Sequence, residues 1–118
     1  MLDKLRNFHF IGIGGAGMSA IAHVLIKRGY NVSGSDLNAG RVSARLANEG
    51  AMVFIGHDAC QVKDADAEAV VVSTAIKADN PEVVAAKEQN IPVLHRSDVL
   101  AAIFNQGDGV AVAGDKGK

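Results

Sequence analysis

Phe8-His9-Phe10-Ile11-Gly12-Ile13-Gly14-Gly15-Ala16-Gly17-Met18-Ser19, with Asn31-Val32-Ser33-Gly34-Ser35-Asp36 further on, decides the fold. Phe8, Phe10, Ile11 and Ile13 supply an apolar strand. Gly12, Gly14 and Gly17 let the backbone turn tightly and lie close to a diphosphate. Met18, Ile21, Ala22 and Leu25 then recur at the spacing of a helix that packs one face on a sheet. The first-turn N–H groups of that helix lack intrahelical acceptors, and together with the positive end of the helix dipole they favour an anion. A second strand closing in a carboxylate, Asp36, about 20 residues beyond the glycines, completes the first half of a nucleotide-binding unit.

The same alternation continues outward. Strands are expected at 8–13, 31–35, 52–55, 69–73, 92–94 and 110–113, and the unbroken Val70-Val71-Val72 suits a strand buried on both faces. The first helix should end at Gly29 with Lys27 and Arg28 near its negative end, and another should span 42–48 before Gly50. Asn80 and Pro81 have the chemistry of a cap and a first helical position, predicting a helix through Gln89; Ser97 reads as the cap of a helix over 98–104. Short connections between alternating strands and helices predict an α/β fold, a Rossmann-like parallel sheet with helices on both faces in a single domain.

Composition narrows the function. A chain of 118 residues with net charge −1 has length for about one domain and no basic surface for nucleic acid or anionic membrane; 4% aromatic residues give few stacking platforms for single strands. Its single cysteine, Cys60, excludes an intramolecular disulfide, and no apolar run approaches a membrane span, so a reducing cytoplasm is the expected compartment. No pair of histidines has metal-site spacing, and no metal site is expected. Cys60 has no partner that would make it a nucleophile. His9 and His95 read as structural, and His23 as a partly buried packing residue. Asp64, Asp66 and Glu68 read as a solvated turn.

In a parallel sheet the segments leaving the carboxyl ends of the strands open on one edge, where ligands bind. Asp36 has two readings there, a ribose contact or a cap for the next helix. The loop itself does not distinguish NAD from another nucleotide diphosphate, because both present the same anion. A NAD-binding regulatory module of a channel or transporter is therefore an alternative.

Further phrases add specificity: the doubled Gly14-Gly15 before Ala16-Gly17-Met18-Ser19, then Ser33-Gly34-Ser35-Asp36, Val71-Val72-Ser73-Thr74-Ala75-Ile76 and Asp79-Asn80-Pro81-Glu82. With the strand expected at 110–113 leading into Gly114, they resemble the Mur ligase family, in particular its UDP-N-acetylmuramate-L-alanine ligases, over nearly the whole chain. The resemblance implies the amino-terminal, UDP-sugar-binding domain (residues 1–108) of a three-domain ligase, with residues 109–118 beginning a truncated central ATP-binding domain. In that family ATP and magnesium convert the lactyl carboxylate of UDP-N-acetylmuramate to an acyl phosphate, which the amine of L-alanine attacks; this chain alone should bind without catalysing.

By the same resemblance Gly14, Gly15, Ala16, Gly17, Met18 and Ser19 would hold the diphosphate, Asp36 the ribose and His57 the uridine end, with Ser73, Thr74 and Ala75 along the same edge. His57 also fits a solvated loop. Arg96 can pair bidentately with a diphosphate or stand solvated at a helix start. The family's ATP loop reads Gly-Thr-His-Gly-Lys-Thr, whereas this chain has Gly114-Asp115-Lys116-Gly117-Lys118. Gly114, Gly117 and Lys118 match, but the magnesium-binding hydroxyl is missing and Asp115 repels phosphate. ATP, magnesium and L-alanine are thus expected only for the complete parent, and no cofactor for this chain.

Overall fold

The computed structural model describes residues 5–38 and 40–106. Five strands, β1 (Asn7–Ile11), β2 (Asn31–Asp36), β3 (Met52–Ile55), β4 (Ala69–Val72) and β5 (Val93–His95), alternate with α1 (Ala16–Lys27), α2 (Arg41–Asn48), α3 (Cys60–Asp64), α4 (Pro81–Glu88) and α5 (Arg96–Gln106). All pairings are parallel in the order β3-β2-β1-β4-β5, so the chain reverses direction across the sheet between β1 and β4. Such a reversal leaves a crevice at the carboxyl ends of the strands on either side of it.

Alternation along β1 sends its side chains to two cores. Phe8 and Phe10 join Met18, Ile21, Ala22 and Leu25 of α1, Leu46 of α2 and Val99 and Ile103 of α5. Ile11 joins Val70, Val62 of α3 and Val83, Ala85 and Ala86 of α4. His9 shares the parity of Ile11 and lies fully buried on that second face.

Local chemistry sets the ends of the elements. Gly29, at φ +90°, closes α1 in a Schellman turn: its N–H donates to Ile26 O, and that of Tyr30 to Leu25 O. Gly50, at φ +118°, does the same for α2. Asn80 caps α4 through Oδ1, which accepts from Glu82 N at 2.9 Å, with Pro81 in the first turn, as the sequence predicts. A Cβ on Gly34 would lie 2.6 Å from Ile13 Cβ and 2.7 Å from Phe10 O, so only glycine lets β2 pack this tightly against the loop leaving β1.

Several expectations are corrected. β1 ends at Ile11, because Gly12 adopts φ +83° and breaks the strand; Gly12 and Ile13 stay attached by donating to Ser35 O at 2.7 and 3.0 Å. α5 begins at Arg96, and Ser97 lies inside its first turn rather than capping it: its N–H donates to His95 Nδ1 at 3.2 Å. The stretch through Asp64 forms a short helix, and Glu68 clips the start of β1, its Oε1 accepting from Arg6 N at 2.7 Å and Asn7 N at 2.9 Å. His23 is exposed and pairs with Glu49 at 2.7 Å between α1 and α2, rather than packing in the core. The strand expected at 110–113 and the residues Gly114, Gly117 and Lys118 lie outside the described residues.

Candidate functional site

At the carboxyl edge the loop after β1 delivers the chain into α1 with Gly15 as the N-cap residue and no side chain capping it. The first turn of α1 carries no acidic residue. Gly15 N donates to Gly12 O at 3.0 Å and Ser19 N to Gly15 O at 2.7 Å, whereas the amides of Ala16, Gly17 and Met18 have no acceptor among the described residues. Three open donors at the positive end of a 12-residue helix form an anion cradle.

The amide of Gly14 is not one of them, which corrects the expectation that it is a free phosphate donor. It donates to Asp36 Oδ2 at 2.7 Å, and a Cβ at Gly14 would stand 2.5 Å from that oxygen. Glycine is needed here so that the carboxylate closing β2 can reach the loop. The helix-cap reading of Asp36 is overturned as well, since Gly40 is the residue at the start of α2. Beside Gly14 and Asp36 a shallow cavity of about 250 Å³ is lined also by Asn38 and Arg41, two residues the sequence reading did not single out. A larger groove, about 710 Å³, runs from Ala16 and Ser19 between α1 and α2 to Arg45 and Glu49.

Arg96 arrives from the far side of the sheet. A Cβ placed on Gly17 would lie 3.0 Å from Arg96 Nη1 and 3.3 Å from its Cζ, so the guanidinium rests on the first turn of α1. Arg96 has no ion pair among the described residues. A cation set against the positive end of a helix is repelled unless an anion lies between them. The β4 loop closes over the same place: Ile76 Cδ1 would be 3.4 Å from a Cβ on Gly12, and Ser73 Oγ accepts from Ala75 N at 3.3 Å, leaving Thr74 and Ala75 exposed.

His57 is held rather than solvated. Gly56 N donates to Asp36 O at 2.6 Å, tying the end of β3 to that of β2. The ring of His57 is 12% exposed, with Nδ1 2.8 Å from Ser35 Oγ and 3.0 Å from Glu82 Oε2. Glu82, a residue the sequence reading did not place in the site, lies at the centre of this network. It is fully buried, accepts from His9 Nε2 at 2.5 Å through Oε1, and accepts from Asp58 N at 3.2 Å through Oε2. With its amide nitrogen turned toward these acceptors, Gln61 donates to Glu82 Oε2 at 3.3 Å and Gly56 O at 3.1 Å. His9 is anchored in turn by Ser33 Oγ at 2.8 Å.

Burial raises the pKa of Glu82, but hydrogen bonds from His9, Ser35 and His57 and the attraction of His9 outweigh it, holding the carboxyl below its ordinary value. The signal for this network was in the sequence: His9, Ser33 and Ser35 place polar groups at alternate positions of two adjoining central strands, where an apolar face is expected. Cys60 is exposed, and the hydrogen bond and charge of Asp58 push its thiol up, away from nucleophilic ionisation. Among the described residues no helix is long and apolar enough to cross a membrane.

Comparison with known proteins bears on this edge. Residues 7–107 match the model of the Mur ligase family, catalytic domain. Over all 118 residues the chain is 52% identical to the UDP-N-acetylmuramate–L-alanine ligase of Azoarcus sp. (strain BH72), and equally to that of Burkholderia vietnamiensis. It spans about a quarter (25%) of the length of these relatives. Among solved structures, the UDP-N-acetylmuramate-alanine ligase of Thermotoga maritima superposes with a TM-score of 0.78 at 32% identity, over 86% of this chain and 23% of that one. A UDP-N-acetylmuramate:L-alanyl-γ-D-glutamyl-meso-diaminopimelate ligase from Neisseria superposes with a TM-score of 0.76 at 28% identity, over 83% and 31%.

Proposed function

Because the chain belongs to the Mur ligase family, we propose that it is the amino-terminal UDP-sugar-binding domain of a ligase that joins L-alanine to UDP-N-acetylmuramate, with hydrolysis of ATP to ADP, in the synthesis of peptidoglycan precursors. The observation that carries this reading is the convergence of the uncapped first turn of α1 and the Arg96 guanidinium on one point at the switch in strand order. A diphosphate placed there accepts from the Ala16, Gly17 and Met18 amides and pairs with Arg96, relieving the repulsion between the two positive features. The Ser19 hydroxyl turns back to Ala16 O at 3.1 Å and is free to rotate toward phosphate. His57 and the Ser73-Thr74-Ala75 turn flank the site on either side.

In the complete ligase this domain orients the lactyl carboxylate for phosphorylation by ATP and then for attack by the amine of L-alanine. ATP and magnesium serve the complete ligase, and the residues described here supply its UDP-sugar site. The alternative of a NAD-binding regulatory module draws no support from the relatives, which are ligases. Calorimetric titration of the 118-residue chain with UDP-N-acetylmuramate, UDP and NADH tests the reading. Saturable binding of the first two is expected; binding of NADH alone would overturn it.

A further inference from the structure

Glu82 lies beneath the carboxyl edge, and two imidazoles that meet nowhere else converge on it, His9 on Oε1 and His57 on Oε2. We propose that Glu82 is a positioning residue that fixes His57 as its Nδ1–H tautomer, so that the bare Nε2 is offered as an acceptor to a hydroxyl or imide N–H of the bound uridine. The inference rests on the UDP-sugar reading above and adds to it the atom that recognises the nucleoside and the group that prepares it.

Geometry decides the tautomer. Nδ1 of His57 lies 2.8 Å from a hydroxyl that can either donate or accept, and 3.0 Å from a carboxylate oxygen that can only accept. A proton on Nδ1 satisfies the carboxylate. A bare Nδ1 would set its lone pair against that of Oε2 in a buried place, a cost of the kind borne by an unsatisfied polar group. The carboxylate of Glu82 is fixed at both oxygens, Oε1 by His9 and Oε2 by Asp58 N, while Asn80 caps its backbone N–H. Among the described residues Nε2 of His57 has no partner and is not one of the fully buried polar atoms, and the side chain is 12% exposed.

Nitrogen-resolved imidazole spectra of the whole 118-residue chain read the tautomer directly. The expected result for the unaltered protein is a protonated Nδ1 and a bare Nε2 on His57; an Nε2–H tautomer overturns the proposal, and this measurement needs no variant to fold. In Glu82→Gln the introduced amide can donate to Nδ1, so the proton is expected to move to Nε2, and affinity for UDP-N-acetylmuramate to fall about tenfold. In a His57→Ala background the same change should cost nothing further, whereas a merely structural Glu82 would lower affinity equally in both backgrounds, and that result overturns the proposal. If the unaltered chain binds no UDP-sugar, the proposed function fails, while the tautomer still shows whether Glu82 sets His57.

Discussion

At Gly17 a hydrogen stands where a methyl group would press on the Arg96 guanidinium, and two effects of opposite sign follow from filling it. Gly17→Ala should strengthen α1 by about 1 kcal/mol through helix propensity, yet displace Arg96 and weaken UDP-sugar binding. A melting temperature that holds or rises while affinity falls would separate the two; tighter binding would contradict the placement of Arg96. Gly15 differs, since its φ of −65° and ψ of 150° suit any residue and a Cβ there meets only ordinary contacts. Gly15→Val should therefore leave the fold intact and weaken binding by crowding the diphosphate, as calorimetry on the folded variant would show. Arg96→Ala should weaken binding less as salt is raised, because a partly exposed charge contact is screened.

Among the elements, α4 joins packing to polar chemistry. Its Val83, Ala85 and Ala86 face the second core, and Glu82 in its first turn gathers His9, His57 and Asp58 N. Glu82→Ala would leave two imidazoles and an amide without their acceptor, costing about 3 kcal/mol in urea unfolding. Because the folded carboxyl titrates below its ordinary value of 4.5, its stabilisation is complete above that pH and is lost as pH falls through the lower folded value. Melts recorded above and below pH 4.5 should show an acid-side decline that Glu82→Gln flattens.

The regular elements were legible in the sequence because period, cap and glycine agreed: α4 begins at Pro81 after Asn80, and Gly29 and Gly50 end their helices. Side-chain pairings were not. That Asp36 would accept from Gly14, or that a carboxylate in Asn80-Pro81-Glu82 would reach a histidine 73 residues away, depends on crossovers that bring distant segments onto one face.

At the scale of the whole molecule, two series of strand and helix running outward from β1 and β4 place the segments that leave the five parallel strands on one edge. The glycine loop, Asp36, His57, the turn after β4 and Arg96 come from five different strand ends, and of these Asp36, Ile76 of the β4 turn and Arg96 approach the glycine loop and the first turn of α1. Chemistry at the junction therefore depends on the strand order, and a ligand bound there should tie the two halves of the sheet together. Binding should raise the melting temperature of the chain by mass action, more at higher UDP-sugar concentration, as scanning calorimetry would record. The central claim, that an anion cradle at the start of α1 grips the diphosphate, is tested most directly by amide-resolved NMR titration of the 118-residue chain with UDP-N-acetylmuramate. The amides of Ala16, Gly17 and Met18 should move first and furthest, with the Arg96 guanidinium following; shifts confined to another face, or movement of these amides with NADH and not with the UDP-sugar, would contradict it.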